Sequence, residues 1–143
     1  MPGRTYVHQL DAKNRMRIPA KLREEIGKNY TIMAGSGGCL YVYNEEQAKK
    51  LKEKLQHVNP FNEKQLKAAR LLLSLSWDAE EDKQGRILIP DNIRNYVHIE
   101  KNVVVFNGPN CVEIWAEEVW NDYFNDVDLG CLADVFNEDK NNG

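Results

Sequence analysis

The chain has 143 residues, 42% hydrophobic and 29% charged. That suffices for one ordinary domain with a real core, and it excludes collagen-like, disulfide-scaffold and disordered classes. Formal net charge is −3, yet residues 1–70 carry fourteen Lys/Arg against seven Asp/Glu, and residues 71–143 carry five against fifteen. A basic half inside an acidic chain points to a polyanionic partner. No apolar run, Leu71-Leu72-Leu73 included, approaches the roughly 18 residues of a membrane helix. The polar opening Met1–Thr5 predicts no signal peptide. Cys39, Cys111 and Cys131 form no CxxC pair, so they read as reduced cytoplasmic thiols.

In chain order, Tyr6–Leu10 predicts a strand and Asp11-Ala12-Lys13-Asn14-Arg15 a tight turn, in which Asn14 takes the left-handed position. Arg15–Ile18 predicts the outgoing strand. Pro19 ends it and starts a short helix, Ala20–Ile26, with Gly27 as its stop. Tyr30–Ala34 and Cys39–Tyr43 read as strands around Gly35-Ser36-Gly37-Gly38. That glycine run lacks a following Lys and precedes a strand, so it is a hairpin turn, not a phosphate loop. Asn44 with Gln47 three residues on caps a helix to about His57, striped by Ala48, Leu51 and Leu55. Asn59-Pro60 breaks the chain, and Asn62–Ser76 predicts a connecting helix.

The same order then recurs. A more polar strand from Trp77 leads to Asp82-Lys83-Gln84-Gly85-Arg86, and Arg86–Ile89 leads to Pro90 and a helix over Asp91–Val97. Asp11, Arg15, Ile18, Pro19 and Arg23 thus reappear 71 positions later as Asp82, Arg86, Ile89, Pro90 and Arg94. With one residue of slip, Val103–Phe106 and Val112–Trp115 repeat the two later strands, and Val119, Trp120, Tyr123 and Phe124 mark a closing helix. A module of about 43 residues buries too little surface to stand alone. The expected fold is therefore mainly β with capping α-helices: two duplicated copies packed as a pseudo-twofold unit in a small mixed barrel. The expected boundaries are 5–47 and 76–119 for the modules, 48–75 for the helical connector, and 120–143 for a C-terminal helix and acidic tail. Within that tail only Val127–Phe136 is apolar enough for a further helix, and the rest is expected to fray.

The doubled Asp-x-x-x-Arg turn is the chemical signature. An ionised Asp only accepts hydrogen bonds, so at a turn it holds backbone amides or braces the arginine. The arginine then projects a rigid donor fork suited to phosphate or to guanine O6 and N7. Asp11, Asp82, Asn14 and Gly85 are read as bracing residues, and Arg15 and Arg86 as the projected pair. Arg4, Lys13, Arg17, Lys21 and Arg23 surround Arg15 to supply phosphate contacts, whereas Arg86 stands among Asp78, Glu80, Glu81 and Asp91 with only Lys83 and Arg94 in support. The first loop is thus expected to carry most of the nucleic-acid contact. A structural ion pair is the competing reading of Asp82–Arg86, and Arg23 and Arg94 read as solvated or bracing residues.

Other constellations are plainer. His8, His57 and His98 have no metal-ligand spacing, and His8 and Asp11 fall on opposite strand faces. No GxSxG, Walker or dinucleotide motif occurs. The acidic clusters Glu80-Glu81-Asp82 and Glu117-Glu118 read as solvated surface, and Trp77, Trp115 and Trp120 as core or interface anchors. No enzyme, metal, cofactor, membrane or small-molecule substrate is expected.

His8-x-x-Asp11-Ala12-Lys13-x-Arg15-x-x-Ile18-Pro19-Ala20-Lys21-x-Arg23, Cys39-Leu40, Asp82-Lys83-Gln84-Gly85-Arg86-Ile87-x-Ile89-Pro90, Glu113-x-Trp115 and Trp120 resemble the MraZ family over residues 1 to about 124. The resemblance implies two SpoVT-AbrB-type modules in a duplicated AbrB/MraZ-like double-split (swapped-hairpin) β-barrel, and a transcriptional regulator. It also implies binding to repeated short boxes of double-stranded DNA upstream of the division and cell-wall gene cluster, its own gene included. Ring-shaped homo-oligomers on the nucleoid are implied with it. Asn14 stands where the family usually has Gly, Ala48 where an aromatic is common, and Pro2-Gly3 replaces an opening Phe. The alternative from another class is an oligomeric protein-interaction adaptor without DNA. An antitoxin-like role would need an apolar tail, and this tail is acidic.

Overall fold

The computed structural model describes residues 3–127 and 129–141. Among these residues eight strands form two antiparallel sheets: β1 (Thr5–Gln9), β2 (Arg15–Arg17), β3 (Tyr30–Ala34), β4 (Leu40–Asn44), β5 (Ser76–Asp78), β6 (Arg86–Leu88), β7 (Asn102–Asn107) and β8 (Val112–Ala116). Six of them make one sheet in the order β1-β7-β8-β4-β3-β5, and β2 pairs with β6 as a separate two-stranded ribbon.

That order is the repeat made physical. β1 of the first copy pairs with β7 of the second, while β5 of the second pairs with β3 of the first. Each copy therefore lends its first strand to the other. The β2–β6 register is centred on Met16↔Ile87 and the β4–β8 register on Tyr41↔Glu113. Both centres join residues that correspond between the copies, as a pseudo-twofold axis requires.

Alternation explains the core. Val112, Ile114 and Ala116 of β8, Val103 and Val105 of β7, and Leu40 and Val42 of β4 point inward. They meet Met16 and Ile87 from the ribbon, and Leu22, Ile26 and Ile93 from the helices α1 (Ala20–Ile26) and α4 (Asp91–Tyr96). Because a strand's side chains alternate, a one-residue slip would turn this entire set outward, so the burial pattern pins the register. The sheet's other face carries a smaller cluster of Cys39, Val104 and Trp115, packed by Tyr41, Val119 and Trp120. There α5 (Glu117–Tyr123) contributes ring contacts of Trp115 with Trp120 and Tyr123, at 5.4 and 4.9 Å. Trp115 and Trp120 are packing anchors, and Trp77 packs on the main core.

Local signals read as expected. Asn44 caps α2 (Glu45–Gln56) through a reciprocal box in which its side chain accepts from the Gln47 N–H at 2.8 Å and its own N–H donates to Gln47 Oε1 at 3.1 Å. α3 (Glu63–Ser74) begins after Asn62, and Gly27 closes α1 at φ +80°. The tail differs from expectation. Instead of a helix over Val127–Phe136 and a frayed end, a 3-10 turn spans Leu129–Cys131 and α6 runs over Leu132–Asn141. Gly130 within the turn disfavours an earlier helix start, and Leu132, Val135 and Phe136 at helical spacing carry the helix onward. The expected fraying at Asn142 and Gly143 lies outside the described residues. No helix among the described residues is long and apolar enough to cross a membrane.

Candidate nucleic-acid interface

The two Asp-x-x-x-Arg turns close in the same way. Asp11 Oδ1 accepts the backbone N–H groups of Lys13 and Arg15, both at 2.9 Å, and Asp82 Oδ1 accepts those of Gln84 and Arg86 at the same distance. Each Oδ2 takes the Nε–H of its own arginine, at 3.0 Å in the first copy and 2.9 Å in the second. Closing so tight a turn needs one residue with positive φ. Asn14 supplies it at +61° and Gly85 at +77°. Asn is the L-residue that tolerates this region best, so the two turns stay equivalent despite the difference in sequence.

Pairing β2 with β6 brings the turns together. Arg15 Nη1 lies 3.6 Å from Asp82 Oδ2, and Arg86 Nη1 lies 3.7 Å from Asp11 Oδ2. Asp11, Arg15, Asp82 and Arg86 thus form a crossed ring of charges. The Arg15 backbone N–H above all, then the Lys13 N–H and the Arg15 guanidinium, hold the Asp11 carboxyl below its ordinary value. The Arg86 and Gln84 amides and the Arg86 guanidinium do the same for Asp82. Both carboxylates therefore stay ionised at neutral pH and keep the arginines aligned. The arginine side chains remain 25% and 27% exposed. The structural pairing expected as the competing reading of Asp82–Arg86 is present, and Arg15 shares it. It leaves part of each fork open to the outside.

Met16 and Ile87 point into the core, so the ribbon's outer face carries Arg15, Arg17, Arg86 and Leu88. Arg17 lies directly across from Arg86, a like-charge pairing that costs stability and that Asp82 and Asp11 offset on the Arg86 side. Arg17, Lys13, Lys21 and Lys83 are exposed, and none makes an ion pair with another described residue. Arg17 also lines an open hollow of about 380 Å³ with His8, Pro19, Ala20, Arg23, Glu81 and Gly85. Arg4 is not brought to this face. It precedes β1 at the end away from the Asp11 turn, and its guanidinium lies 5.2 Å over the Tyr6 ring.

A further tie, invisible in the sequence because it spans 58 positions, stands beside the ribbon. Arg23 of α1 donates Nε–H to both Glu81 oxygens, at 2.9 and 2.7 Å, and an Nη2–H at 2.6 Å. The buried Tyr30 hydroxyl donates to the same carboxylate at 3.1 Å. These bonds, Arg23's first, hold Glu81 below the usual carboxylate range, while burial pushes Tyr30 up. Arg23 is accordingly a brace between the copies. Arg94 pairs with Asp91 within α4. Cys39 and Cys111 are buried free thiols, pushed up to about 12 and about 11 by burial. Among the described residues no His, Cys, Asp and Glu side chains gather as a metal site.

Fold and site together define a duplicated β-protein whose copies exchange strands and jointly present a braced, arginine-rich ribbon. A family model for the MraZ protein, antitoxin-like in its description, matches residues 1–72 and 78–133. Over 125 residues the chain is 43% identical to the "Transcriptional regulator MraZ" of Thermoanaerobacter sp. (strain X514), covering 87% of each chain. The proteins of the same name from Carboxydothermus hydrogenoformans and Clostridium beijerinckii are 39% and 38% identical; the matches cover 84% of each chain, and 93% and 94%, respectively. The chain belongs to the MraZ family of transcriptional regulators, and that family is not one of enzymes.

Proposed function

We propose that this regulator acts by binding double-stranded DNA through the β2–β6 ribbon. In this reading it is a cytoplasmic, nucleoid-associated protein that recognises tandem boxes upstream of its own gene and the division and cell-wall cluster. The observation that carries the proposal is the crossed Asp11–Arg15–Asp82–Arg86 ring, beside exposed Arg17, Lys13 and Lys83 on one outward ribbon. The major groove admits a two-stranded ribbon, and a guanidinium held in place by a carboxylate donates its remaining N–H groups to guanine O6 and N7. Lys13, Arg17, Lys21 and Lys83 take phosphates and give affinity without sequence information.

One bidentate contact is worth only about 1–3 kcal/mol of base discrimination. A homo-oligomer, ring-shaped in this proposal, places several ribbons on tandem boxes and multiplies affinity roughly a hundredfold or more without new contacts. The test is fluorescence anisotropy with duplex from directly upstream of the gene against scrambled duplex. Wild type prefers the upstream duplex, and Arg15→Ala and Arg86→Ala each abolish most of that preference. Equal binding of both duplexes by wild type at low salt refutes the proposal.

A further inference from the structure

The pseudo-twofold axis through Met16 and Ile87 relates Arg15 to Arg86 and Arg17 to Leu88. The first pair is identical, and the second breaks the symmetry. Leu88 is 55% exposed on the outer face of β6, directly across the ribbon from Arg15. Arg86 lies two residues before it on the same strand, and Arg17 sits diagonally opposite. An exposed leucine alone means little. This one stands on the ribbon's arginine-bearing outer face, beside Arg15 and Arg86, where its pseudo-symmetric counterpart Arg17 is a cation.

That setting selects what can cover it. A second copy of the same face would set arginines against arginines. A simple apolar partner would strip water from the guanidinium groups and offer them nothing. The major groove of DNA satisfies both demands at once, because phosphates and guanine edges accept from arginine while the C5-methyl of thymine offers an apolar contact. Cross-strand neighbours have Cβ atoms roughly 5 Å apart, so Arg15 and Leu88 fall within reach of neighbouring base pairs.

We infer that Leu88 is a specificity-determining residue that reads a thymine methyl group beside the base read by Arg15. The inference rests on the DNA reading above and deepens it. Arg17 occupies the pseudo-symmetric position and has no apolar contact to give. The two halves of one ribbon therefore read different bases, and each box lacks palindromic symmetry even though the protein is nearly twofold.

The test replaces the thymines of the upstream duplex one at a time by deoxyuridine, which removes only the methyl group. Full-length wild type and Leu88→Ala are compared by anisotropy. At one or two thymines per box, uracil weakens wild type about fourfold, the worth of one buried methyl group, and leaves Leu88→Ala unchanged. Indifference of wild type to uracil at every thymine overturns the inference, as does an equal uracil penalty in Leu88→Ala. So does a loss in Leu88→Ala that is the same on every duplex, scrambled included, which marks a structural role. Wild type that does not distinguish upstream from scrambled duplex at all refutes the DNA reading itself, and the role of Leu88 falls with it.

Discussion

The Glu81 tie gives a sharp test of how the two copies are held together. Glu81→Gln keeps the shape of the side chain and removes its charge; the amide keeps one acceptor oxygen, its NH2 cannot accept from Arg23, and the guanidinium loses the carboxylate it meets at 2.6 to 2.9 Å. Hydrogen bonds to charged groups contribute about 1.5–3 kcal/mol, while exposed pairs contribute under about 1. With Arg23 and Glu81 side chains 30% and 17% exposed, the loss falls between, at about 1–2 kcal/mol. For a chain of this length each kcal/mol moves the melting temperature by about 2–4 °C, so the variant melts about 2–8 °C lower at pH 7. Glu81 is held below its ordinary value in the folded chain, so the folded state binds fewer protons than the unfolded one. Its stabilisation is complete above the unfolded carboxylate value, near 4.3. It fades as pH falls through the lower folded value. The gap between wild type and variant, followed by circular dichroism melts, therefore narrows on acidification. A gap that stays constant across pH, or an unchanged melting temperature at pH 7, refutes the reasoning.

Three other outcomes follow from the same geometry. Gly85→Ala meets no atom within 4 Å at its new Cβ but must keep φ +77°, so it loses about 1–2 kcal/mol from backbone strain alone; Asn14→Gly changes stability little, and chemical denaturation reads both. Tyr30 is held protonated by burial, so wild-type stability declines as pH rises past about 10, where unfolded tyrosine ionises, and Tyr30→Phe flattens that alkaline limb in urea titrations. Residues 1–58 expressed alone lack β7 for β1 and β6 for β2, so sedimentation finds them unfolded or self-paired. A folded monomer of that half contradicts the strand exchange.

What was legible in the sequence was local. The Asn44–Gln47 cap, the Pro19 and Pro90 helix starts and the left-handed Asn14 and Gly85 each depend on a few adjacent residues. Their chemistry is the same in any fold. Pairing is not local. The run Tyr6–Leu10 marks a strand but does not say that β7, about a hundred positions on, is its partner. The crossed ring was hidden for the same reason: Asp11–Arg15 is a turn that a reader can find, but its contact with Asp82 exists only once β2 meets β6. Arg4 looked near Arg15 in sequence, yet the extended β1 carries it away.

The central claim is that the ribbon, rather than the other basic surface, meets the polyanion. Helix α2 presents exposed Lys49, Lys52 and Lys54 and offers the natural control. The salt dependence of binding to the upstream duplex separates the two, because each phosphate contact adds about 0.9 to the slope of log affinity against log salt. For Lys13→Gln/Arg17→Gln/Lys83→Gln the account predicts a slope shallower by about 2–3, and for Lys49→Gln/Lys52→Gln/Lys54→Gln the wild-type slope. A shallower slope in the helix variant, with the ribbon variant unchanged, would contradict it.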